Sequence, residues 1–349
     1  MRVATTARHR GLANFAAMSH VVESKDVEQH VQRTCVLEPV QEGRQNHVSE
    51  GTTEVRVVSW NVLAQVYTRS SWFPHAPTPS IRWKRRFQTI AFYLKHLRAD
   101  IYLLQEVDNF LEYQELFKQM GYGLKYKRRT GTKKDGSAIA YRFDRFQCLG
   151  IQEIEYNELV GYIKDNDQDA EENRSRYHRD CIGILAALKE KNSGKVLCAA
   201  ATHLFWNPDM NDVKLAQAQL FISRIGHFAN SWRITHTIAG LDANSIPDSD
   251  VYHVLTGLAP SSTSKRVFSA PFKEYQMRSA YVTATGHNPA FTTHIPQFIA
   301  PIDYMLHSPN IRISAILKIA QEGDESIGNG MPNYYHPSDH LPLAADFVL

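Results

Sequence analysis

Cysteine is scarce in this chain and placed where it cannot pair. The 349 residues include four, Cys35, Cys148, Cys181 and Cys198, with no CxxC spacing. That excludes a disulfide framework and a cysteine zinc site, and it favours a reducing compartment. Long apolar runs are missing too: nothing approaches the roughly 18 to 20 residues that span a bilayer, and no signal-peptide core is present. A soluble protein with no membrane partner is expected. Charge of one sign is also absent, since 39 basic and 36 acidic residues leave a net +3. This permits an anionic substrate without demanding a nucleic-acid surface. Several chemistries lack their motif. There is no GxSxG elbow for a serine nucleophile. Residues 131–137, GTKKDGS, space two glycines like a phosphate-binding loop but carry Ser137 where the lysine belongs. Gly328 and Gly330 lack the third glycine of a dinucleotide fingerprint. His336 and His340 stand four apart as in a helical zinc site, but Pro337 opposes a helix and the metalloprotease glutamate is missing. No internal repeat is found.

What is present is enough apolar material, 43% of residues, to bury a full core in one large domain or two small ones. Residues 1–24 contain Arg2, Arg8, Arg10 and two histidines with no acid before Glu23. This reads as an organelle transit peptide or a biased unstructured tail, so the expected location is cytoplasmic, with mitochondrial import the alternative. Residues 25–53 are polar and without periodicity, which reads as a linker, and the folded domain is expected over 54–349. Strand-like text at 55–60 is followed by an amphipathic helix over 81–97, with Ile81, Phe87, Ile90, Ala91, Leu94 and Leu97 on one face. Strands are expected at 100–104, 122–127, 137–142, 182–188, 196–202, 234–240, 302–307 and 341–348, with helices near 110–120 and 212–230. The segment 165–180 is nearly devoid of apolar residues and reads as a solvated loop. Early alternation of strand and helix with late hairpin-like neighbours points to an α/β fold with mixed sheets.

Each candidate strand delivers polar residues at its C-terminal end or just beyond. Asn61 ends the first, Glu106 the second, His203 follows 196–202, and Asp242 with Asn244 follows 234–240. Asp303 sits in PIDYML, and Asp339 with His340 precedes the last apolar run. Strand ends are where sheet proteins gather side chains from distant parts of the chain. Carboxylates, amides and imidazoles without thiolates suit a hard cation such as Mg²⁺ or Mn²⁺, which would polarise a phosphate while an Asp or His activates water.

These residues carry a resemblance. SWNVLAQVY, LLQEVD, KKDGSAIAYR, THLFWNPDMNDVKLAQ, LDANSIPDS, APIDYM and HPSDHLPLAADF, in that order, resemble the endonuclease/exonuclease/phosphatase superfamily. Within it they are similar to the branch of carbon catabolite repressor deadenylases, nocturnin, Angel proteins and 2′-phosphodiesterase. The resemblance covers about Val55 to Leu349. It implies a four-layer α/β sandwich of two mixed β-sheets packed face to face, helices outside, and an active site at one edge. It further implies Glu106 as principal Mg²⁺ ligand with Asn61 beside it, and one or, more in keeping with the branch, two ions. Asp242 would orient or deprotonate water, and Asn244 would hold the phosphate or a second ion. His203 would donate to a phosphate oxygen, His340 would stabilise the pentacovalent phosphorus, Asp303 would fix a histidine tautomer, and Asp339 would help hold metal or His340. Two departures stand out. Leu241 replaces the glycine usual before the catalytic aspartate, so the backbone entering the site is expected to differ, and Leu63 stands where superfamily members outside this branch carry an acid.

Pro208 and Phe298 match the positions at which the resembled deadenylases sandwich an adenine, and the alternative for Phe298 is core packing. The implied partner is the 3′ end of poly(A) RNA, or else a small adenine nucleotide: NADP(H) losing its 2′-phosphate, or 2′-5′ oligoadenylate. A non-catalytic RNA-binding protein is a third reading. No leucine-rich repeat is present for docking to a large deadenylase complex. Lys84, Arg85 and Arg86, with Lys133 and Lys134, read either as a phosphate track or as solvated faces.

Overall fold

A computed structural model describes residues 22–40, 52–165, 169–258 and 275–349. Elements are numbered in chain order. One seven-stranded sheet runs β1 (Leu37–Pro39), β14 (Arg312–Leu317), β15 (Leu343–Val348), β2 (Glu54–Asn61), β3 (Ile101–Val107), β5 (Gly136–Arg142), β4 (Tyr122–Arg128). A six-stranded sheet runs β10 (Arg278–Ser279), β13 (Asp303–His307), β9 (His236–Asp242), β8 (Val196–His203), β7 (Ile182–Glu190), β6 (Phe146–Glu155). A hairpin of β11 (Thr293–Ile295) and β12 (Phe298–Ala300) stands apart. The helices are α1 (Ser24–Thr34), α2 (Trp83–Leu97), α3 (Phe110–Gln119), α4 (Ala170–Tyr177), α5 (Asn211–Trp232), α6 (Asp250–Leu255) and α7 (Ala280–Thr285).

The central strands are buried on both faces, which is why they read as near-continuous apolar runs rather than alternating ones. In β8, Leu197 to Thr202 is wholly buried. One core fills the space between the sheets and beneath α2 and α3, and a second lies between the six-stranded sheet and α5. The result is the expected sandwich of helices, sheet, sheet and helices. Each sheet contains one parallel pair, β2 with β3 and β8 with β9, and all other pairings are antiparallel. The two parallel pairs face one another across the core. Gly240 of β9 lies close against the facing sheet: a Cβ there would collide with Ser59 of β2 and crowd Leu103 of β3. Parallel neighbours present their C-terminal ends on the same edge, so this packing brings Asn61, Glu106, His203 and Asp242 to one rim.

Three sequence expectations need correction. Residues 25–53 are not linker throughout: α1 forms, and β1 pairs antiparallel with β14 through Leu37↔Leu317. The fold therefore begins before residue 54. Val27, Val31 and Cys35, four apart, make one narrow buried stripe on an otherwise polar helix, too thin to stand out without knowledge of α2, which it packs against. Residues 165–180 are not a loop throughout, because α4 forms with Tyr177 fully buried and Arg176 bidentate to Asp212 at 2.7 Å. The edge strand β6 has no counterpart among the expected strands; its surface alternates only irregularly because a bulge between Cys148 and Gly150 shifts its register. Residues 1–21 of the suggested transit segment 1–24, and residues 41–51, lie outside the described residues.

Candidate active site

Four loops at the rim carry the polar residues, and several hold strained backbone. Glu106 has φ +59° in a bulge between Leu104 and Val107, Leu63 has φ +57°, and Asn244 has φ +47°. Non-glycine residues in the left-handed region cost about 1–2 kcal/mol and persist only where surroundings over-determine them. Here the determinants are visible. The Ala64 amide donates to Glu106 Oε2 at 2.9 Å, and the Asn244 amide donates to Asp242 Oδ1 at 2.9 Å. Lys214 of α5 donates to the Asn244 carbonyl at 2.9 Å, and the buried Tyr304 hydroxyl donates to the Ser245 carbonyl at 2.7 Å.

Asp242 is the hub. Asn61 Nδ2 donates to Asp242 Oδ2 and to Glu106 Oε1, both at 2.9 Å. His203 Nε2 lies 3.4 Å and His340 Nε2 3.7 Å from Asp242 Oδ2. The Asn61 amide orientation follows from its other end, because Oδ1 accepts from the Leu63 N–H at 3.0 Å. In the same way Asn244 Nδ2 donates to the Leu204 carbonyl at 3.0 Å, so toward His203 Nε2, at 2.9 Å, it must also donate. His203 then carries its proton on Nδ1, 3.8 Å from Glu106 Oε1. His340 Nδ1 is 2.8 Å from Asp303 Oδ2, and that carboxylate also accepts from Thr292 Oγ1 at 2.6 Å. Thr292 Oγ1 in turn accepts from the Ile302 and Asp303 amides at 3.0 Å.

Burial pushes the Glu106 carboxyl above the usual carboxylate range, with Asp339 and Asp135 adding repulsion against the opposing pull of His203. For His340 burial acts downward, but Asp303, Asp242 and Asp339 outweigh it and hold the imidazole well above its ordinary value. The cluster is rich in negative charge and short of cations. Glu106, His203 and Asp242 offer ligand atoms within 4.8 Å of one another, and so do Asp242, Asp303 and His340. His203 Nδ1 is buried and has no hydrogen-bond partner. The largely buried Glu106 and Asp242 carboxylates supply the oxygen donors that fit a divalent cation, and the unpartnered His203 Nδ1–H is a donor left for an oxygen of a ligand.

A family model for the endonuclease/exonuclease/phosphatase family matches residues 58–340. The chain belongs to that family. It is 35% identical over 327 residues to carbon catabolite repressor protein 4 homolog 4 of Arabidopsis thaliana, covering 84% of this chain and 77% of the relative. It is 28% identical over 335 residues to the CCR4-Not complex 3′-5′-exoribonuclease subunit Ccr4 of Candida albicans, covering 86% of this chain but only 42% of that subunit. Among solved structures it resembles ANGEL2, a 2′,3′-cyclic phosphatase, with TM-score 0.71 and 26% identity over 88% of this chain and 99% of the other. The human nocturnin catalytic domain, at 20% identity and TM-score 0.63 over 90% of this chain and 98% of the other, shows the same fold. The relatives fall in the carbon catabolite repressor, nocturnin and Angel branch. The chain is a hydrolytic enzyme, and enzymes of this endonuclease/exonuclease/phosphatase family depend on a divalent metal.

Seven of the residues singled out in the sequence, Asn61, Glu106, His203, Asp242, Asn244, Asp303 and His340, converge in this one network. Asp339 stands outside both ligand groups. Its carbonyl accepts from His294 N and Thr293 Oγ1, and its carboxylate is 3.5 Å from Ser338 Oγ. Asn61 turns its nitrogen, not its oxygen, toward the carboxylates. Pro208 is exposed in the loop after β8, and Phe298 is 46% exposed on β12, which removes the core-packing reading of its ring. Leu241 does not disturb the backbone. It is fully buried on the α5 side, paired in unbroken register with Thr202 and Tyr304, because an extended strand makes no demand for glycine at that position. The expected cationic face of α2 is also overturned: Lys84 is exposed, but Arg85 bonds the Val22 carbonyl at 2.8 Å and Arg86 is completely buried. Thr292, Ser338, Tyr304 and Lys214 also support the site, and the sequence pattern does not single them out. Only Lys214 left a trace, a charge on a face of α5 between Val213 and Gln217, both fully buried.

Proposed function

We propose that the chain hydrolyses phosphodiester bonds at RNA 3′ ends, as a Mg²⁺-dependent 3′-5′ exoribonuclease that acts on poly(A) and releases 5′-AMP. One observation carries the substrate: the exposed Phe298 ring sits on a hairpin whose other strand bonds the catalytic loop. Thr293 of β11 bridges His340, and the Leu341 amide donates to the Thr292 carbonyl at 2.8 Å. The terminal base stacked on Phe298, with Pro208 as the opposing wall, would gain about 1–3 kcal/mol while the 5′ phosphate of that nucleotide lies toward the histidines. The Candida relative, named as a 3′-5′-exoribonuclease subunit, supports the same reading.

Glu106 and Asp242, with Asp339 further out, would hold Mg²⁺ or Mn²⁺, and Asn61, which donates to both carboxylates, would fix their spacing. When bound, the cation neutralises and polarises phosphoryl oxygens. Asp242 orients the attacking water and takes its proton, since its carboxylate is where the Asn61 side chain, the Asn244 amide and both imidazoles meet. His340 donates from Nε2 to a phosphoryl oxygen, because Asp303 fixes the proton on Nδ1 and supports the imidazolium. We therefore read Asp242, Asp303 and His340 as an acid–imidazole relay rather than a second ion site. His203, oriented by the Asn244 amide at Nε2, would donate its Nδ1 proton to another phosphoryl oxygen. Positioning and charge neutralisation are what in-line attack on phosphorus requires.

A second reading keeps the site and changes the substrate to a small terminal phosphate: the 2′-phosphate of NADP(H), 2′-5′ oligoadenylate, or a 2′,3′-cyclic end. The likeness to ANGEL2 at TM-score 0.71 favours the last. The purified chain should be incubated with labelled oligo(A), a non-adenylate RNA, NADPH, 2′-5′ oligoadenylate and an RNA ending in a 2′,3′-cyclic phosphate, each with Mg²⁺ or EDTA. Stepwise shortening of oligo(A), lost in EDTA and slowed by Phe298→Ala more than cleavage of non-adenylate RNA, is expected. Intact oligo(A) alongside rapid phosphate release from a small substrate would replace the first reading by the second.

A further inference from the structure

Arg86 is the only fully buried arginine among the described residues. No carboxylate neutralises it at contact distance; its fork is taken up by neutral oxygens. Nε donates to the Pro337 carbonyl at 2.6 Å, Nη2 to the Val62 and Leu63 carbonyls at 2.7 and 2.5 Å, and Nη1 to Gln65 Oε1 at 2.9 Å. Burying a guanidinium is costly, and a planar fork is the one side chain that can address carbonyls of two loops at once. The two loops are the ones that matter. Val62 and Leu63 follow Asn61 directly, and Pro337 precedes Ser338, whose hydroxyl donates to the Asn61 carbonyl at 2.7 Å and accepts from the His340 amide at 3.1 Å. Leu63 is held in the left-handed region, and that conformation aims the next amide, of Ala64, at Glu106 Oε2.

We infer that Arg86 is a positioning residue of the active site: its guanidinium clamps the loop after β2 to the loop before β15. Glu106, Asn61 and His340 thereby keep one relative placement. Arg86 touches neither substrate nor reacting atoms. The inference rests on the reading of this site as the catalytic one, but its test does not need the substrate to be known. Arg86→Lys keeps the charge and loses the fork. Arg56→Ala is the control; it removes a bidentate contact to Asp346 of β15 at 2.7 and 2.8 Å, away from both loops.

Peptide-resolved hydrogen exchange on the full chain should show residues 62–65 and 333–340 exchanging together about tenfold faster in Arg86→Lys, with β3 and β9 unchanged and the Arg56→Ala loops unchanged. With bis(p-nitrophenyl) phosphate and Mn²⁺, kcat should fall about 100-fold while KM stays within about threefold. Unchanged exchange in both loops, or a fall in kcat no greater than that of Arg56→Ala, would overturn the clamp. Should Arg86→Lys not fold, Gln65→Leu removes one acceptor with the arginine in place; faster exchange at 62–65 is expected, and wild-type exchange with wild-type kcat overturns the inference. A wild-type chain inert toward every phosphoester would instead sink the functional reading, and the exchange result would still decide the clamp.

Discussion

At the scale of single residues, the informative contrast is between His340 and His336, four positions apart and opposite in electrostatics. His340 stands among Asp303, Asp242 and Asp339, which raise it; His336 is enclosed with His30 and is lowered to about 3 by burial and by that neighbour. The first is therefore a proton donor and the second a neutral packing group. Asp303→Asn should leave the fold intact but remove the charge that supports the His340 imidazolium, lowering kcat by roughly 10- to 100-fold, the usual effect of losing such a supporting partner. Steady-state kinetics on whichever substrate the wild type cleaves checks this. A variant with undiminished kcat would remove Asp303 from the relay.

Elements explain why that neutral histidine matters. Helix α1 docks His30 against Tyr335 and His336, with ring centroids 4.9 and 5.2 Å apart, and buries Val27 and Val31. The N-terminal segment thus braces the back of the loop whose front carries His340, and β1 covers the edge strand β14. A chain starting at residue 52 should lose this brace: thermal unfolding is expected at least several degrees lower, since Val31 alone accounts for about 2 kcal/mol, and loop 333–340 should exchange faster. A truncated chain with unaltered unfolding temperature would restore residue 54 as the domain start. The same docking sets a pH dependence. His30 and His336 both have folded pKa values below the unfolded value near 6.5, so keeping them neutral stabilises the fold fully above about 6.5. That stability is lost as pH falls toward 3, by at most about 1.4 kcal/mol per pH unit for each. His340 acts in the opposite sense and only above about 6.5, so the windows do not overlap. Denaturant unfolding at pH 7, 6 and 5 should show the decline, and His336→Asn should flatten it. An identical slope in that variant would assign the decline elsewhere.

Across the whole molecule, function depends on two sheets each contributing one parallel pair to a common rim. Negative charge collected there from β3, β9 and β13, with Asp339 beside them, repels itself until a cation is bound. Mg²⁺ should accordingly stabilise the native chain, by about 2.7 kcal/mol at one hundred times its dissociation constant, seen as a rise in unfolding temperature that EDTA reverses and Glu106→Ala abolishes. An undiminished rise in Glu106→Ala would place the ion away from this cluster.

Much of the site is legible in the sequence because its residues end apolar runs. Asn61, Glu106, His203 and Asp242 each close a strand whose hydrophobicity is local and unmistakable, and the order of their motifs carries the family. The mixed sheets follow from the same local runs. What the sequence did not determine is what depends on a distant partner. Arg86 sits in a WKRR run that reads as a solvated face, and only Pro337, 251 residues away, makes it a buried clamp. The stripe of α1 is too narrow to see without α2 beneath it, the core-packing alternative for Phe298 falls only once the hairpin leaves its ring exposed, and Asn61 turns nitrogen rather than oxygen inward because Leu63 takes the oxygen. Local periodicity and residue chemistry settle which groups a strand end offers. Only packing in three dimensions settles what each group faces, because desolvation and hydrogen-bond partners come from chain remote in sequence.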